Sequence, residues 1–150
     1  MKINELFDPK GSFEIEWDDQ FGPKEIHAVA YDRQGRTINI DFVPIADNIV
    51  EIEFTRGGSY DVTNRGDATQ VLTTVVNAIK IYLTKFYSAP YLIFSAKEAS
   101  RSGLYQAMIR RLATSGGYKQ IPYDQASDEF KNDLPLGQHD VFILAKQGGV

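Results

Sequence analysis

The first third of the chain alternates apolar and polar residues, a two-residue period that predicts β-strands with one buried face. We predict an edge strand over residues 13–17 and further strands over residues 25–32, 37–45 and 49–55. Turn sequences rich in glycine, asparagine and aspartate separate these runs and predict hairpins. The buried positions of the two most regular runs are Ile38, Ile40, Phe42, Val50, Ile52 and Phe54. We therefore expect an antiparallel sheet in the first half of the protein.

The second half of the chain changes to the period of an α-helix. After Asp67, apolar residues recur at every third or fourth position as far as Tyr87, which predicts a long amphipathic helix. Asp67 and Gln70 have the spacing of a capping box at its start. Residues 91–95 then form a short apolar run between turns, and this pattern predicts a strand buried on both faces.

A second helix is predicted from Ser100 to Ser115, because it carries an apolar stripe and two glycines follow it. Strands over residues 118–123 and 140–146 complete the pattern. Together these elements predict one α+β domain over residues 1–150. We expect a mixed, mostly antiparallel sheet of about six strands with two main helices.

The composition excludes several classes of protein. The chain has 150 residues, 43% of them hydrophobic, which suits one globular domain with a real core. Its net charge of −4 weighs against a nucleic-acid partner, and it has no cysteine for disulfides or thiolate chemistry. No segment approaches the ~20 apolar residues that span a bilayer. We therefore expect a soluble, cytoplasmic protein that binds neither a membrane nor nucleic acid.

The junction between the strand-rich half and the first helix is a candidate site for a phosphate group. Gly66 lets the backbone approach a ligand closely, and the helix that follows offers unpaired N–H groups with a partial positive charge. The candidate binding residues are Thr63, Asn64, Arg65, Gly66 and Ala68. Asp67 opposes this role, because its carboxylate adds negative charge and would cap the same N–H groups.

A second candidate site follows the predicted strand over residues 91–95. Ligands often bind at the carboxyl ends of strands in open α/β sheets. Lys97 and Arg101 lie in this turn and could pair with a cofactor phosphate. The alternative is a solvated turn in which Ser100 caps the second helix.

Few residues suit acid–base or metal chemistry. Glu51 and Glu53 should project from the polar face of their strand, which makes both general-base candidates, and we select Glu53. Solvated strand charges explain both residues equally well. His27 and His139 lack the closely spaced partners of a metal site, so we predict no bound metal.

The order of these elements resembles the GNAT acetyltransferase fold. In that family the pyrophosphate loop for acetyl-CoA has Gln or Arg, two residues, Gly, one residue, and Gly or Ala. Thr63, Gly66 and Ala68 occupy these three positions, and two of them match. Leu104-Tyr105 is similar to the family's Leu-Tyr pair, so the resemblance implies that Tyr105 protonates the departing thiolate. The alternative is that Tyr105 is a core residue of an amphipathic helix.

The whole chain also resembles small proteins encoded by tailed bacteriophages. The likeness rests on an acidic, aromatic start, a Gly-Asp-Ala helix entry and the segment from Phe94 to Arg101. It implies a phage origin, and hence action in the host cytoplasm or association with the virion. It implies no activity.

Two classes of function remain open. The first is a non-catalytic or degenerate GNAT-like phage protein that binds a host or phage protein, as an accessory factor or a virion component, without a cofactor. The second is an acetyl-CoA-dependent N-acyltransferase that holds pyrophosphate in the Thr63–Ala68 loop. We favour the first class, because Thr63 replaces the expected Gln or Arg and Asp67 adds negative charge to the loop.

Overall fold

The protein forms one mixed sheet and two helices within the part of the chain that the structure, a computed structural model, describes. That part comprises residues 13–32, 35–56, 68–95, 102–115, 117–121 and 141–147. The elements are β1 (Ile15–Asp18), β2 (Ile26–Tyr31), β3 (Thr37–Ala46), β4 (Ile49–Arg56), α1 (Ala68–Lys85), β5 (Tyr91–Ser95), α2 (Ser102–Ser115), β6 (Tyr118–Ile121) and β7 (Val141–Lys146).

The sheet has the strand order β1-β2-β3-β4-β5-β7-β6. β4 and β5 pair in parallel, whereas β1–β2, β2–β3, β5–β7 and β6–β7 are antiparallel pairs. The predicted α+β class, with a mixed and mostly antiparallel sheet and two main helices, is confirmed. The described residues contain seven strands rather than about six. This is the order of elements on which the resemblance to the GNAT fold depends.

The first helix ends two residues earlier than the sequence predicts. α1 ends at Lys85 rather than near Tyr87. The N–H groups of Phe86 and Tyr87 nevertheless both donate to the carbonyl of Tyr82, at 2.9 and 3.0 Å, so the backbone stays hydrogen-bonded past the last helical residue. The predicted caps Asp67 and Ser100 lie outside the described residues.

The chain divides into two compact units. The first contains Met1–Phe42 and Glu53–Ser88, and the second contains Val43–Ile52 and Ala89–Val150. The expectation of one domain over residues 1–150 stays a prediction. Neither described helix has the length and apolar character that crossing a membrane requires.

The core of the first unit lies on one face of β1, β2 and β3. The buried strand residues on this face are Ile15, Ile26, Ala28, Ala30, Ile38, Ile40 and Phe42. An aromatic cluster joins them to α1: the Phe42 and Tyr82 rings stack with centroids 4.2 Å apart, and Trp17 contacts Phe86 at 5.2 Å. The Tyr82 hydroxyl donates a 2.6 Å hydrogen bond to the Lys24 carbonyl, which satisfies the one polar atom of this buried ring.

Two buried polar residues of the first unit have partners. The Thr74 hydroxyl on α1 donates to the Gln70 carbonyl at 2.8 Å and accepts the N–H of Phe13 at 2.9 Å. Asp32, which is 5% exposed, accepts the backbone N–H of Arg36 at 2.9 Å and its Nε at 3.2 Å. These bonds fix the chain before β1 and close the β2–β3 hairpin, because buried polar groups are costly without partners.

In the second unit, β5 is buried on both faces, as the sequence predicts. Leu92, Ile93 and Phe94 are fully buried. Ile93 pairs with Ile143 of β7 and packs in an apolar cluster with Ile49, while the neighbouring Phe94 contacts a ring of α2. A strand buried on both faces loses the alternating pattern, which is why β5 reads as a continuous apolar run.

Candidate functional site

The polar face of β1, β2 and β3 carries aligned side chains that point away from the core. Alternation along each strand sends every second residue to this face. The strand register aligns these residues in three rows: Asp18–His27–Asp41, Glu16–Val29–Asn39 and Tyr31–Thr37. We call these eight residues, together with the adjoining Phe21 and Glu25, the acidic face.

A groove of about 300 Å³ runs over two rows of the acidic face. Its lining residues are Glu16, Trp17, Asp18, His27, Ala28, Val29, Asn39 and Asp41. Three of them carry carboxylates, and one offers an amide. Among the described residues, no lysine or arginine lines the groove. The groove therefore presents hydrogen-bond acceptors and negative charge to anything that enters it.

His27 occupies the centre of the acidic face and lies between two carboxylates. Its Nδ1 atom is 2.7 Å from Oδ1 of Asp41, and its Nε2 atom is 2.9 Å from Oε2 of Glu25. The Phe21 ring meets the imidazole edge-on, with centroids 4.8 Å apart. A neutral imidazole carries one N–H group, so only the protonated ring donates to both carboxylates at once.

The carboxylates favour the protonated form of His27. Partial burial alone would lower the pKa of His27, but hydrogen bonds to Asp41 and Glu25 and the charges of both carboxylates outweigh burial and hold that pKa above its ordinary value of 6.5. Asp18 pairs with His27 across the strands, and its carboxylate accepts hydrogen bonds from Gln20 at 3.0 and 3.1 Å. The centre of the face thus holds one titratable cation among acids.

Two aromatic side chains project from this face into solvent. Phe21 is 56% exposed and Tyr31 is 50% exposed. Tyr31 follows His27 and Val29 along the same side of β2, about 13 Å from His27 at the usual strand rise. Exposed aromatic rings beside carboxylates can hold a cation by cation–π contact as well as by charge.

Tyr105, the candidate acid, lies in the core of the second unit. It is fully buried, and its ring contacts Phe94 at 5.4 Å and Phe142 at 6.0 Å between centroids. This environment agrees with the alternative stated from the sequence, that Tyr105 is a core residue of an amphipathic helix. Its role as a catalytic acid stays a prediction.

Most of the other predicted site residues fall outside the described residues. These are Thr63, Asn64, Arg65, Gly66, Lys97 and Arg101. Ala68 is the first residue of α1. Glu53 lies on β4 and is half-buried between the buried residues Ile52 and Phe54. The phosphate loop and the general base therefore stay predictions.

Sequence reasoning missed the two carboxylate partners of His27. The sequence analysis considers only the closely spaced partners of a metal site for this residue, and it predicts none. The signal was present in the hairpin, since the turn sequence Asp32-Arg33-Gln34-Gly35-Arg36 centres on position 34 and residues 27 and 41 each lie seven positions from it. Within the described ranges, no group of three or more acidic, histidine or cysteine residues could hold a metal ion. His139 lies outside those ranges.

Comparison with known proteins places the chain in a family. Among solved structures it is similar to a chimera of the spermidine N-acetyltransferase SpeG from Vibrio cholerae and hSSAT, with a TM-score of 0.45 and 14% identity. The similarity covers 83% of this chain and 66% of the acetyltransferase chain, slightly less than two thirds of that protein. No protein with a curated description matches the chain. A family model matches residues 22–121, two thirds of the sequence, and the chain therefore belongs to DUF6934, a family of unknown function.

Proposed function

We propose that this protein is a non-catalytic binding module whose acidic face binds a basic segment of a partner protein. One observation carries the proposal: the groove on β1–β3 is lined by Glu16, Asp18 and Asp41 without a described lysine or arginine. Such a field attracts positively charged groups and speeds their encounter. The partner is therefore a chain that presents lysine or arginine side chains.

The exposed aromatic residues support a protein partner. Interfaces are enriched in aromatic anchors, and these supply much of the binding energy where water is excluded. Phe21 and Tyr31 flank the carboxylates. In the isolated chain Phe21 is 56% exposed and Tyr31 is 50% exposed. A basic segment laid over the groove would cover both rings and pair with the acids between them.

The environment of Tyr105 also supports a non-catalytic module. A catalytic acid must come within hydrogen-bond reach of the leaving group. The Tyr105 ring is instead fully buried between Phe94 and Phe142, which suits a packing role. In this proposal the protein is the phage-encoded module that its sequence resembles, either a host-directed accessory factor or a virion component.

The test uses a fluorescein-labelled octa-arginine peptide as the simplest basic segment. We expect saturable binding by fluorescence anisotropy that weakens as salt rises, because charge attraction is screened. The double variant Asp18→Asn/Asp41→Asn should bind about tenfold more weakly, a loss of about 1.4 kcal/mol. Asp47→Asn, in the exposed turn between β3 and β4, removes a carboxylate outside the acidic face and serves as the control.

Two results would contradict this function. One is the absence of peptide binding at low salt. The other is an equal loss of affinity per removed charge in the Asp47→Asn control and in the double variant, since that would show attraction to net charge alone. Affinity capture with wild-type and Asp18→Asn/Asp41→Asn baits, followed by mass spectrometry, then identifies the partners that depend on this face.

A second candidate function is the acetyl-CoA-dependent acyltransferase. It is favoured by the start of α1 at Ala68, where the predicted phosphate loop would lead straight into the first helical turn. Acetyl-CoA at ~100 times its dissociation constant would then raise the free energy of unfolding by about 2.7 kcal/mol. Gly66→Trp should abolish this gain, whereas Tyr105→Phe should keep binding and slow turnover. No thermal shift with acetyl-CoA counts against the enzyme.

A further inference from the structure

We infer that His27 is an internal cation that the basic side chain of a partner displaces, so that binding to the acidic face releases a proton from this residue. The inference rests on the proposed function and adds its regulation by pH. It assigns His27 a role as a proton-linked positioning residue of the binding surface, since the imidazole pairs with Asp41, one of the groove carboxylates that a partner cation would use.

The geometry shows why the imidazole and a partner cation compete. Asp41 lies 2.7 Å from one ring nitrogen and Glu25 lies 2.9 Å from the other. Each carboxylate already pairs with the protonated ring. His27 and Asp41 also line the groove, so a guanidinium in the groove would approach the same Asp41 carboxylate that the imidazolium holds. Two cations at one carboxylate repel each other, and a loss of the proton from His27 removes that repulsion.

Carboxylates from three parts of the described structure lie around His27. Asp18 of β1 is its cross-strand partner, Asp41 belongs to β3, and Glu25 precedes β2. Phe21 adds an uncharged ring at the edge of the imidazole. Glu16 lines the same groove one row away. The imidazolium is thus the cation that offsets these acids in the free protein, and its deprotonation leaves the face more negative.

The direction of the pH effect follows from linkage. The pKa of His27 in the free protein lies above 6.5, because the hydrogen bonds and charges of Asp41 and Glu25 outweigh the effect of burial. A bound cation lowers that pKa. Below the free-state pKa, binding must expel the proton, so affinity falls as pH falls, by at most about tenfold per pH unit. Above that pKa, His27 is already neutral and affinity no longer depends on pH.

The experiment measures octa-arginine binding at pH 6 and pH 9. Arginine does not titrate in this range, so any change comes from the protein. Wild-type protein should bind several-fold more tightly at pH 9. His27→Gln should bind with nearly equal affinity at both pH values, and at pH 6 it should bind more tightly than wild type. If His27 only supported the surface, its replacement would weaken binding. The comparison of His27→Gln with wild type at pH 6 therefore separates a displaced cation from a supporting side chain.

His139→Gln is the matched control, because the chain has two histidines. This variant should keep the wild-type pH dependence. Calorimetry in two buffers of different ionisation enthalpy should show net proton release for wild type near pH 6 and almost none for His27→Gln. A direct measurement needs no variant: NMR titration of the His27 imidazole should give a lower pKa when the protein is saturated with peptide.

The outcomes separate this inference from the proposed function. Absence of peptide binding at both pH values overturns the proposed function and the inference together. Binding that is equally tight at pH 6 and pH 9, an unchanged pKa of His27 on saturation, or weaker binding of His27→Gln at pH 6 overturns the inference alone. Folding of each variant is checked by circular dichroism, and the NMR titration decides the question if His27→Gln does not fold.

Discussion

Tyr105 in the second unit and His27 in the first unit show opposite relations between motif and environment. The resemblance to the GNAT family implies that Tyr105 is catalytic, yet its ring is fully buried against Phe94 and Phe142. His27 belongs to no motif, yet both of its ring nitrogens face carboxylates beside an open groove. Chemistry depends on solvent access and charged neighbours, and these are set by the fold rather than by a two-residue match.

The two residues also differ in what they should contribute to stability. A large buried ring contributes through the apolar area it removes from water and through its packing. A half-exposed ion pair contributes little, because water screens the charges and the side chains lose entropy. The comparison between Tyr105 and His27 can therefore be tested with substitutions whose effects on the free energy of unfolding differ widely.

The largest effect is expected for Tyr105→Ala. Removing this buried ring should lower the free energy of unfolding by about 3–5 kcal/mol, the usual cost of truncating a large aromatic core residue. Tyr105→Phe keeps the ring between Phe94 and Phe142, so its cost should be much smaller. Urea denaturation of both variants measures the difference. A small loss for Tyr105→Ala would contradict the core role and revive the catalytic one.

A smaller effect is expected for Tyr82→Phe in the first unit. The Tyr82 ring stacks on Phe42, and its hydroxyl donates a 2.6 Å hydrogen bond to the Lys24 carbonyl. The substitution keeps the stacked ring and removes only the hydrogen bond, so we expect a loss of about 1 kcal/mol. Tyr82→Leu, which removes the stacking as well, should cost clearly more. Equal losses in the two variants would show that the hydrogen bond carries the whole effect.

The strands and α1 could be predicted from the sequence, because the local period of apolar residues follows from which side chains are buried. The alternation in β3 and β4 identified their buried residues, and the continuous apolar run of β5 identified a strand buried on both faces. The helical period of α1 was equally clear, although its last residue, Lys85, was not. Hydrogen bonds beyond Lys85 keep the chain turning, and a sequence pattern cannot separate such a turn from the helix itself.

The candidate sites were harder to predict, because contacts between distant residues decide them. The sequence predicts an apolar stripe on α2, and the buried residues described there are Tyr105, Met108, Ile109 and Leu112. This set follows the i, i+3, i+4, i+7 spacing of a core-facing stripe and includes the tyrosine. The partner of His27 on β3 depends on hairpin register, which a five-residue turn only suggests.

The stability contributed by His27 should depend on pH. The pKa of His27 is raised in the folded protein, so its contribution is fully present below the unfolded value of about 6.5 and is lost as pH rises through the folded pKa. His27→Gln should therefore lower the free energy of unfolding at pH 6, by no more than about 1 kcal/mol for so exposed a pair. The loss should be smaller at pH 9. Denaturation at both pH values tests this, and a loss that grows with pH would contradict it.

The smallest effect on stability is expected for Phe21→Ala. Phe21 is 56% exposed and contacts the edge of the His27 ring, so its removal should change the free energy of unfolding by no more than about 0.5 kcal/mol. The same substitution should measurably weaken octa-arginine binding, because the exposed ring offers a cation–π surface beside the carboxylates. Phe21→Tyr keeps that surface and should bind as wild type does. An unfolding cost as large as that of a core residue would mean that Phe21 packs into the unit, and the ring would then have no place in the binding surface.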